Sequence, residues 1–597
     1  MFHDLNEKQK EAVYSSEGPL LIVAGAGSGK TKTLTARLAY LIAEKHVDPK
    51  RIVAITFTNK AADEMKSRVK KIIDDHHITI TDEPFVGTFH SFGARILREQ
   101  SALWGRTPGF TIYDDDDSLR VIKNIVKESN TDPKKYAPPK LMRFFSKVKN
   151  EWCCGANKSE MNAGMYQIEM SLYVLYEQAL QKNNAFDFDD LIEKVVRAFE
   201  KHPVVKKAYQ ARYDYILIDE YQDINTAQYA MVKMLAQEHK NINVVGDDAQ
   251  SIYAFRFADF RNFLNFEKEW PQTRIVVLDQ NYRSTKTIIE SSSALIARNS
   301  AQKHKELWTQ NNQGDPITIT ELDNEFIEAD YVIEKANDLA KEGKSVGVLF
   351  RTNAQSRALE QSCVEHGAEY NLFGAQSFYE RKEIKDCIAI LRYAANPSDS
   401  ISLERIKKTF YKNIYTEFEQ VLPQKAALMP PAQVLEYALK RADFFAMLQK
   451  EFENYQDRIE NVQELVYFTH QFSSIDDVLQ KIALASPLDA KRKKRQKVVT
   501  GGLYLMTIHL AKGLEFDAVF IVGVNEGILP HQRALFSERE MEEERRLMYV
   551  AMTRAKESLT ISFYTTPSRF IYELPPQHTT FMGEKTLDDE ERFIEYD

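Results

Sequence analysis

Residues 20–31 read LLIVAGAGSGKT: five apolar residues, a glycine-rich turn, then Lys30-Thr31 at the start of an expected helix. The run Leu20–Ala24 has the composition of a strand buried on both faces. Gly25, Gly27 and Gly29 permit backbone geometries in which several N–H groups point at one phosphate chain. Lys30 supplies positive charge for β- and γ-phosphates, and the Thr31 hydroxyl is placed to hold Mg²⁺. The helix from Thr31 adds the partial positive charge of its N-terminus. Ala24, Ala26, Ser28 and Lys32 complete the loop and its edge, with Ala24 standing where a first glycine is usual. Strand, loop, Lys-Thr and helix in that order make a nucleoside triphosphate the expected ligand.

The rest of the composition narrows the class. A chain of 597 residues, 43% hydrophobic and 28% charged, has room for about four ordinary globular domains. No apolar run approaches the ~20 residues of a membrane-spanning helix. The start, Met1-Phe2-His3-Asp4, lacks the basic-then-apolar order of a signal peptide, so a cytoplasmic location is expected, nucleoid-associated if the source is bacterial. Cys153 and Cys154 are adjacent while Cys363 and Cys387 lie far away, a spacing that suits no metal cluster. A net charge of −8 gives no global attraction to nucleic acid, so any such binding needs a locally basic groove.

Moving outward from the loop, strands are expected at 51–56 and 85–88, and again at 215–218, 242–245 and 274–278. Between them, residues 91–184 read as polar and helical. The second half repeats the arrangement, with strands at 317–320, 346–350 and 369–373, a helical stretch over 386–497, then strands at 503–508, 518–522 and 559–563. The order predicts an α/β chain of two lobes with parallel sheets, each interrupted by a helical insertion. The basic run 491–497 reads as a solvated linker.

The strand Ile216-Leu217-Ile218 ends in Asp219-Glu220, which suits Asp219 for Mg²⁺ and Glu220 for orienting and deprotonating an attacking water. A second apolar run ends in Asp247-Asp248-Ala249-Gln250, from which Gln250 can sense the γ-phosphate.

These motifs and those around them resemble the superfamily 1 DNA helicases of the UvrD/Rep/PcrA group. Leu5-Asn6-Glu7-Lys8-Gln9 resembles the group's adenine-reading motif, with Gln9 as reader. Residues 56–62 (TFTNKAA) and 87–91 (GTFHS) resemble two motifs that contact single strands. Asp219 to Asp223 differs from the common form only by Tyr221 in place of Phe. In Gln280-Asn281-Tyr282-Arg283-Ser284 the resemblance implies that Tyr282 stacks on adenine and Arg283 reaches the γ-phosphate. In residues 507–516 (TIHLAKGLEF) it implies that Glu515 contacts ribose, and in residues 542–555 that Arg554 is a second arginine finger.

The resemblance implies two RecA-like P-loop lobes: residues 1–90 with 185–279 carrying the ATP site, and 280–385 with 500–597. The helical insertions are 91–184 and 386–499. It places Arg283, Glu515 and Arg554 in the second lobe or at its edge. It also implies ATP and Mg²⁺ as cofactors, and single-stranded DNA and single/double-strand junctions as partners. A monomer and self-association on DNA both remain open. The expected DNA track is aromatic and basic, drawn from Phe57, Asn59, Thr88, His90, Tyr253, Phe255, Arg256, Arg351, Asn353 and His509, with Phe570 either the aromatic tip at the duplex junction or a core aromatic.

Four departures stand out. Lys32 replaces the group's usual Arg, Phe255 stands where relatives usually carry Trp, and the second insertion is short. Asn413-Ile414-Tyr415 replaces a Gly-Ile-Gly hairpin that can touch duplex. The resemblance implies ATP-dependent 3′-to-5′ unwinding in DNA repair, replication restart or recombination control. The alternative is a single-strand-dependent ATPase that displaces proteins and unwinds weakly.

Overall fold

The computed structural model describes residues 2–15, 17–78, 82–133, 135–152, 166–254, 257–373, 378–397, 399–452, 454–485 and 501–582. Phe255, Arg256, the Cys153-Cys154 pair and the basic run 491–497 lie outside the described residues. The chain divides into two compact units, Met1–Arg283 with Asn299–Asn311, and Ser284–Arg298 with Asn312–Asp597.

The first unit is built on a six-stranded parallel sheet. Its order is Phe85–Thr88, Ile52–Thr56, Tyr215–Ile218, Ile242–Gly246, Leu20–Ala24, Arg274–Leu278. Every residue of Leu20–Ala24 is buried, and alternate side chains serve opposite cores. Leu21 and Val23 pack with Phe92, Ile192 and Met231. Leu20, Ile22 and Ala24 pack with Leu34, Leu38 and Met65 from the helices Lys30–Ala43 and Asn59–Asp75. Helices on both faces explain why this strand is a continuous apolar run rather than an alternating one.

Residues 91–184 are largely helical, as expected, with a core of Ile122, Leu141, Phe145, Leu172 and Tyr176. Two short strands were not anticipated: Thr111–Tyr113 and Ala185–Asp187 pair in parallel where the insertion leaves and rejoins the lobe. At three residues each, they carry too little alternation to be read from sequence. Beside them Lys149, fully buried, meets Glu177, Asp187 and Asp190 at 2.9, 2.6 and 2.8 Å.

The second unit holds a seven-stranded parallel sheet ordered Tyr370–Leu372, Gly502–Thr507, Ser345–Phe350, Phe516–Ile521, Ala555–Phe563, Ile317–Glu321, Thr579–Met582. Its insertion is a set of helices from Lys382–Ala395 to Ile475–Ala485 around Ile390, Phe418, Leu435, Val462 and Phe468. Asn413-Ile414-Tyr415 forms the start of the helix Lys412–Ala426, with Ile414 in that core, so these residues form no hairpin.

One boundary differs from the sequence reading. Residues 280–283 and 299–311, expected in the second lobe, cluster with the first unit. Asn281 Nδ2 and Tyr282 N bond to Ala26 O and Gly27 O of the first unit, and a two-stranded parallel ladder between Gln280–Asn281 and Trp308–Thr309 brings the later segment with them. Among the described residues no helix is long and apolar enough to cross a membrane.

Candidate functional site

The glycine-rich loop leaves the buried strand at Ala24 and turns into the helix Lys30–Ala43. Gly27 and Gly29 adopt φ of +67° and +81°, a region that side chains with a Cβ avoid. Inside the loop, Ser28 Oγ donates to Gly25 O at 2.9 Å, and Gly25 N donates to Leu278 O at 3.2 Å. Residues 281–283 strap the loop from outside. Asn281 Nδ2 donates to Ala26 O at 2.7 Å, Tyr282 N donates to Gly27 O at 3.0 Å, and Arg283 N donates to Asn281 Oδ1 at 2.8 Å. A Cβ on Gly27 would meet Asn281 Nδ2 at 2.6 Å and Arg283 Cβ at 2.9 Å. Arg283 therefore stands beside the loop as the last residue of the first unit before Ser284 opens the second, at the edge expected for it.

The residues expected around adenine are gathered at the same edge. Asn6 and Gln9 form a capping box on the helix Glu7–Val13, and Gln9 Nε2 donates to Ser28 O at 3.0 Å. Tyr282, half exposed, accepts from Asn6 Nδ2 at 2.6 Å and donates to Gln280 Oε1 at 2.9 Å through its hydroxyl. Lys32 Nζ reaches Asp4 Oδ2 at 2.7 Å and donates to Asp4 O at 3.0 Å.

The carboxylates lie past the C-terminal ends of the strands, where ligands of open parallel sheets bind. Thr31 Oγ1 donates to Asp219 Oδ2 at 3.0 Å. Burial first, and the Glu220 charge second, push the Asp219 carboxyl up to about 7, against the Thr31 hydrogen bond and the Lys30 charge. Glu220 is held at φ +52°, a left-handed conformation uncommon for a residue with a side chain and costly unless its surroundings enforce it. Gln222, which the sequence reading did not single out, supplies part of that enforcement. Its Nε2 donates to Glu220 Oε2 at 2.5 Å, and its Oε1 accepts from Asp247 N at 3.0 Å. Gln250 Nε2 donates to Asp247 Oδ2 at 2.5 Å, and Lys30 Nζ lies 4.0 Å from that same oxygen.

The glycine cradle, the lysine and the hard oxygen pair Thr31–Asp219 fit a phosphate chain with Mg²⁺. Buried carboxyls whose charge is penalised are the groups a dication stabilises most.

Several residues expected on the DNA track sit together in the first unit. Phe57 and Tyr253 stack on each other with ring centroids 5.1 Å apart and planes 15° apart. Asn59 begins the helix Asn59–Asp75, capped by Thr58, and Thr88 caps the helix Phe89–Gln100. His90 packs edge-on against Phe188 at 5.6 Å, and burial holds its imidazole below the usual value. Phe188, 48% exposed, is a further aromatic at this surface that the sequence reading missed. Its sequence signal is an aromatic between Asp187 and Asp189, where alternation does not call for a core residue.

In the second unit the expected residues are more occupied. Arg351 forms a bidentate pair with Glu544, at 3.0 Å from Nε and 2.7 Å from Nη2. Arg381 donates to Asn353 O at 3.0 Å, and His509 lies on the short helix Ile508–Ala511. Glu515 pairs with Lys556 at 3.2 Å. Arg554 is buried and donates to Val550 O, Leu514 O and Thr553 Oγ1 at 2.9, 3.2 and 3.1 Å. Phe570 requires a correction. Its ring is 0% exposed and packs under the Arg545 guanidinium, so it is a core residue and not a surface-mounted tip.

Comparison with known proteins shows the family. The UvrD/REP helicase N-terminal domain matches residues 5–271, and the UvrD-like helicase C-terminal domain matches residues 276–457 and 425–566. The ATP-dependent DNA helicase PcrA of Bacillus subtilis is 40% identical over 646 residues, covering 99% of this chain and 85% of that protein. The same-named protein of Staphylococcus aureus is 40% identical over 640 residues, covering 96% and 87%. That of Staphylococcus epidermidis is 39% identical over 635 residues, covering 96% and 86%. With both domain patterns matched in order along the chain, this protein belongs to the UvrD/Rep helicase family.

Proposed function

We propose that this UvrD-family chain is an ATP-dependent DNA helicase that moves 3′ to 5′ on single-stranded DNA and separates duplex in repair, replication restart or recombination control. The observation that carries the ATP-driven part of the reading is the assembly of Lys30, Thr31, Asp219 and Glu220 around one glycine cradle, while direction and pathway rest on family resemblance. Lys30 and the loop N–H groups bind the phosphates of ATP, and Thr31 and Asp219 hold Mg²⁺. Bound there, Mg²⁺ supplies positive charge to the phosphate oxygens.

Glu220 orients the attacking water and takes its proton, while Gln222 fixes the carboxylate by its hydrogen bond to Oε2. Gln250 and Arg283 respond to the γ-phosphate, and Tyr282 and Gln9 face the base. Family resemblance extends the ATP contacts to Glu515 and Arg554. Phe57, Tyr253 and His90 offer ring faces to successive bases, with Asn59 and Thr88 as polar neighbours, and Asn353 and His509 serve the strand from the second unit. The Arg351–Glu544 pair fixes the Arg351 guanidinium at that surface.

The test is ATP hydrolysis with and without single-stranded DNA. Stimulation by the strand, lost in Lys30→Ala, is the expected result, and hydrolysis indifferent to DNA would reject the proposal. A second reading, a translocase that clears proteins and unwinds weakly, is favoured by Ile414 lying in a helix core where relatives carry a hairpin. Stimulated hydrolysis without strand displacement would select it.

A further inference from the structure

The strongest cation beside Asp247 is not the loop lysine. Lys305 Nζ lies 2.9 Å from Asp247 Oδ1 and 2.8 Å from Asp248 Oδ1, and all three side chains are buried. Lys303 N donates to Asp248 Oδ2 at 3.0 Å. Both lysines come from residues 299–311, whose ladder with Gln280–Asn281 binds them to the first unit. The same segment reaches the phosphate loop, because a Cβ on Gly25 would collide with the Leu307 side chain.

Charge at this point is finely divided. Asp247 and Asp248 are two adjacent carboxylates with almost no exposure, and such groups demand cationic partners. Burial pushes the Asp247 carboxyl up, but Lys305 first and Lys30 next bring it below the ordinary carboxylate range. Lys30 stands off at 4.0 Å, while Gln250 occupies the Asp247 oxygen that faces it. Without Lys305, the buried Asp247 carboxylate, the one that faces Lys30, would draw on that lysine, the group needed for the phosphates.

We propose that Lys305 is a positioning residue for ATP: by holding Asp247 and Asp248, it keeps Lys30 from being captured by Asp247 and leaves it directed to the nucleotide. The inference rests on the ATP-binding reading above and deepens it. The effect of Lys305 passes through Asp247.

The test is ADP binding by calorimetry on the full chain, without DNA or Mg²⁺. Lys305→Met is expected to weaken ADP binding by about tenfold, within the usual coupling of buried neighbours. Lys305→Arg should retain most of the affinity. Lys305→Met combined with Asp247→Asn should bind as Asp247→Asn does, since the competing charge is gone. A purely structural role for Lys305 would show no such rescue. Unchanged affinity in Lys305→Met, or a double variant as impaired as Lys305→Met, would overturn the proposal. If Lys305→Met does not fold, equal affinity of Asp247→Asn and the double variant still supports it, and unequal affinity contradicts it. Failure of the unaltered chain to bind ADP would instead strike the ATP-binding reading itself.

Discussion

The Thr31 hydroxyl donates to Asp219 Oδ2 across 3.0 Å, joining the end of the phosphate loop to a strand terminus 188 residues away. The two oxygens are thereby held side by side. Replacing Thr31 by Val keeps the volume and removes the donor, leaving a buried carboxyl short of a partner. We expect Thr31→Val to need more Mg²⁺ and to lose about 10–100-fold in ATP hydrolysis, by analogy with disturbed metal shells. A Mg²⁺ titration of the ATPase measures this, and an unshifted curve would refute the role of Thr31.

The strap over the loop separates binding from hydrolysis. Asn281→Ala removes the bond to Ala26 O and one support of Arg283 N, so ATP affinity should fall by about 1 kcal/mol, the worth of one hydrogen bond. Arg283→Ala leaves that bond in place. Its expected effect is loss of turnover, about 10³-fold or more if it acts as an arginine finger, with ATP binding largely retained. Equilibrium binding set beside single-turnover hydrolysis distinguishes the two variants. Normal turnover in Arg283→Ala would dismiss the finger.

Phe57 and Tyr253 form one stacked pair, so their contributions to DNA binding should be coupled. Each alanine variant is expected to weaken single-strand affinity by about 1–3 kcal/mol, and the double variant by less than the sum. DNA-free ATP hydrolysis should be unaffected. Fluorescence anisotropy with a labelled oligonucleotide reports the affinities, and strict additivity would show that the rings act separately.

In the second unit, burial pushes the Glu328 carboxyl up to about 7, opposed by the nearby Ser562 hydroxyl and by a hydrogen bond from Gly523 N at 2.9 Å. Glu325 and Tyr564 are its titratable neighbours. A folded value above the unfolded one means that the native state binds the proton more tightly. The associated stability is complete below about pH 4.5 and is lost as pH rises through about 7. Glu328→Gln should therefore raise the melting temperature more at pH 8 than at pH 5, provided the amide keeps the Gly523 bond. Thermal melts at the two pH values decide it, and a larger gain at pH 5 would reverse the sign.

Sequence alone carries the nucleotide site well because phosphate chemistry demands residue types at fixed local offsets. Gly27, Gly29, Lys30 and Thr31 lie within one turn, and Asp219-Glu220 directly follow a strand. What it conceals are partners brought together only by the fold. Lys305 reads as one charge in a polar loop until the ladder at Trp308–Thr309 seats it on Asp247 and Asp248. Arg351 reads as a DNA contact until Glu544, 193 residues on, proves to be its partner. Phe570 after Pro-Ser-Arg reads almost equally as a junction tip, by resemblance, or as a core aromatic, and the four-residue helix Arg569–Tyr572 turns its ring into the core. The boundary at residue 280 failed for a related reason. The strand Gln280–Asn281 is only two residues long, and its attachment to the first unit depends on Trp308–Thr309 and on Ala26 O.

The central claim is directional unwinding driven by the site around Lys30. Strand displacement from duplexes carrying either a 3′ or a 5′ single-stranded tail, with ATP and Mg²⁺, tests it most directly. The account predicts release from the 3′-tailed substrate, abolished by Lys30→Ala, and little from the 5′-tailed one. Release from the 5′ tail alone, or release that survives Lys30→Ala, would contradict it.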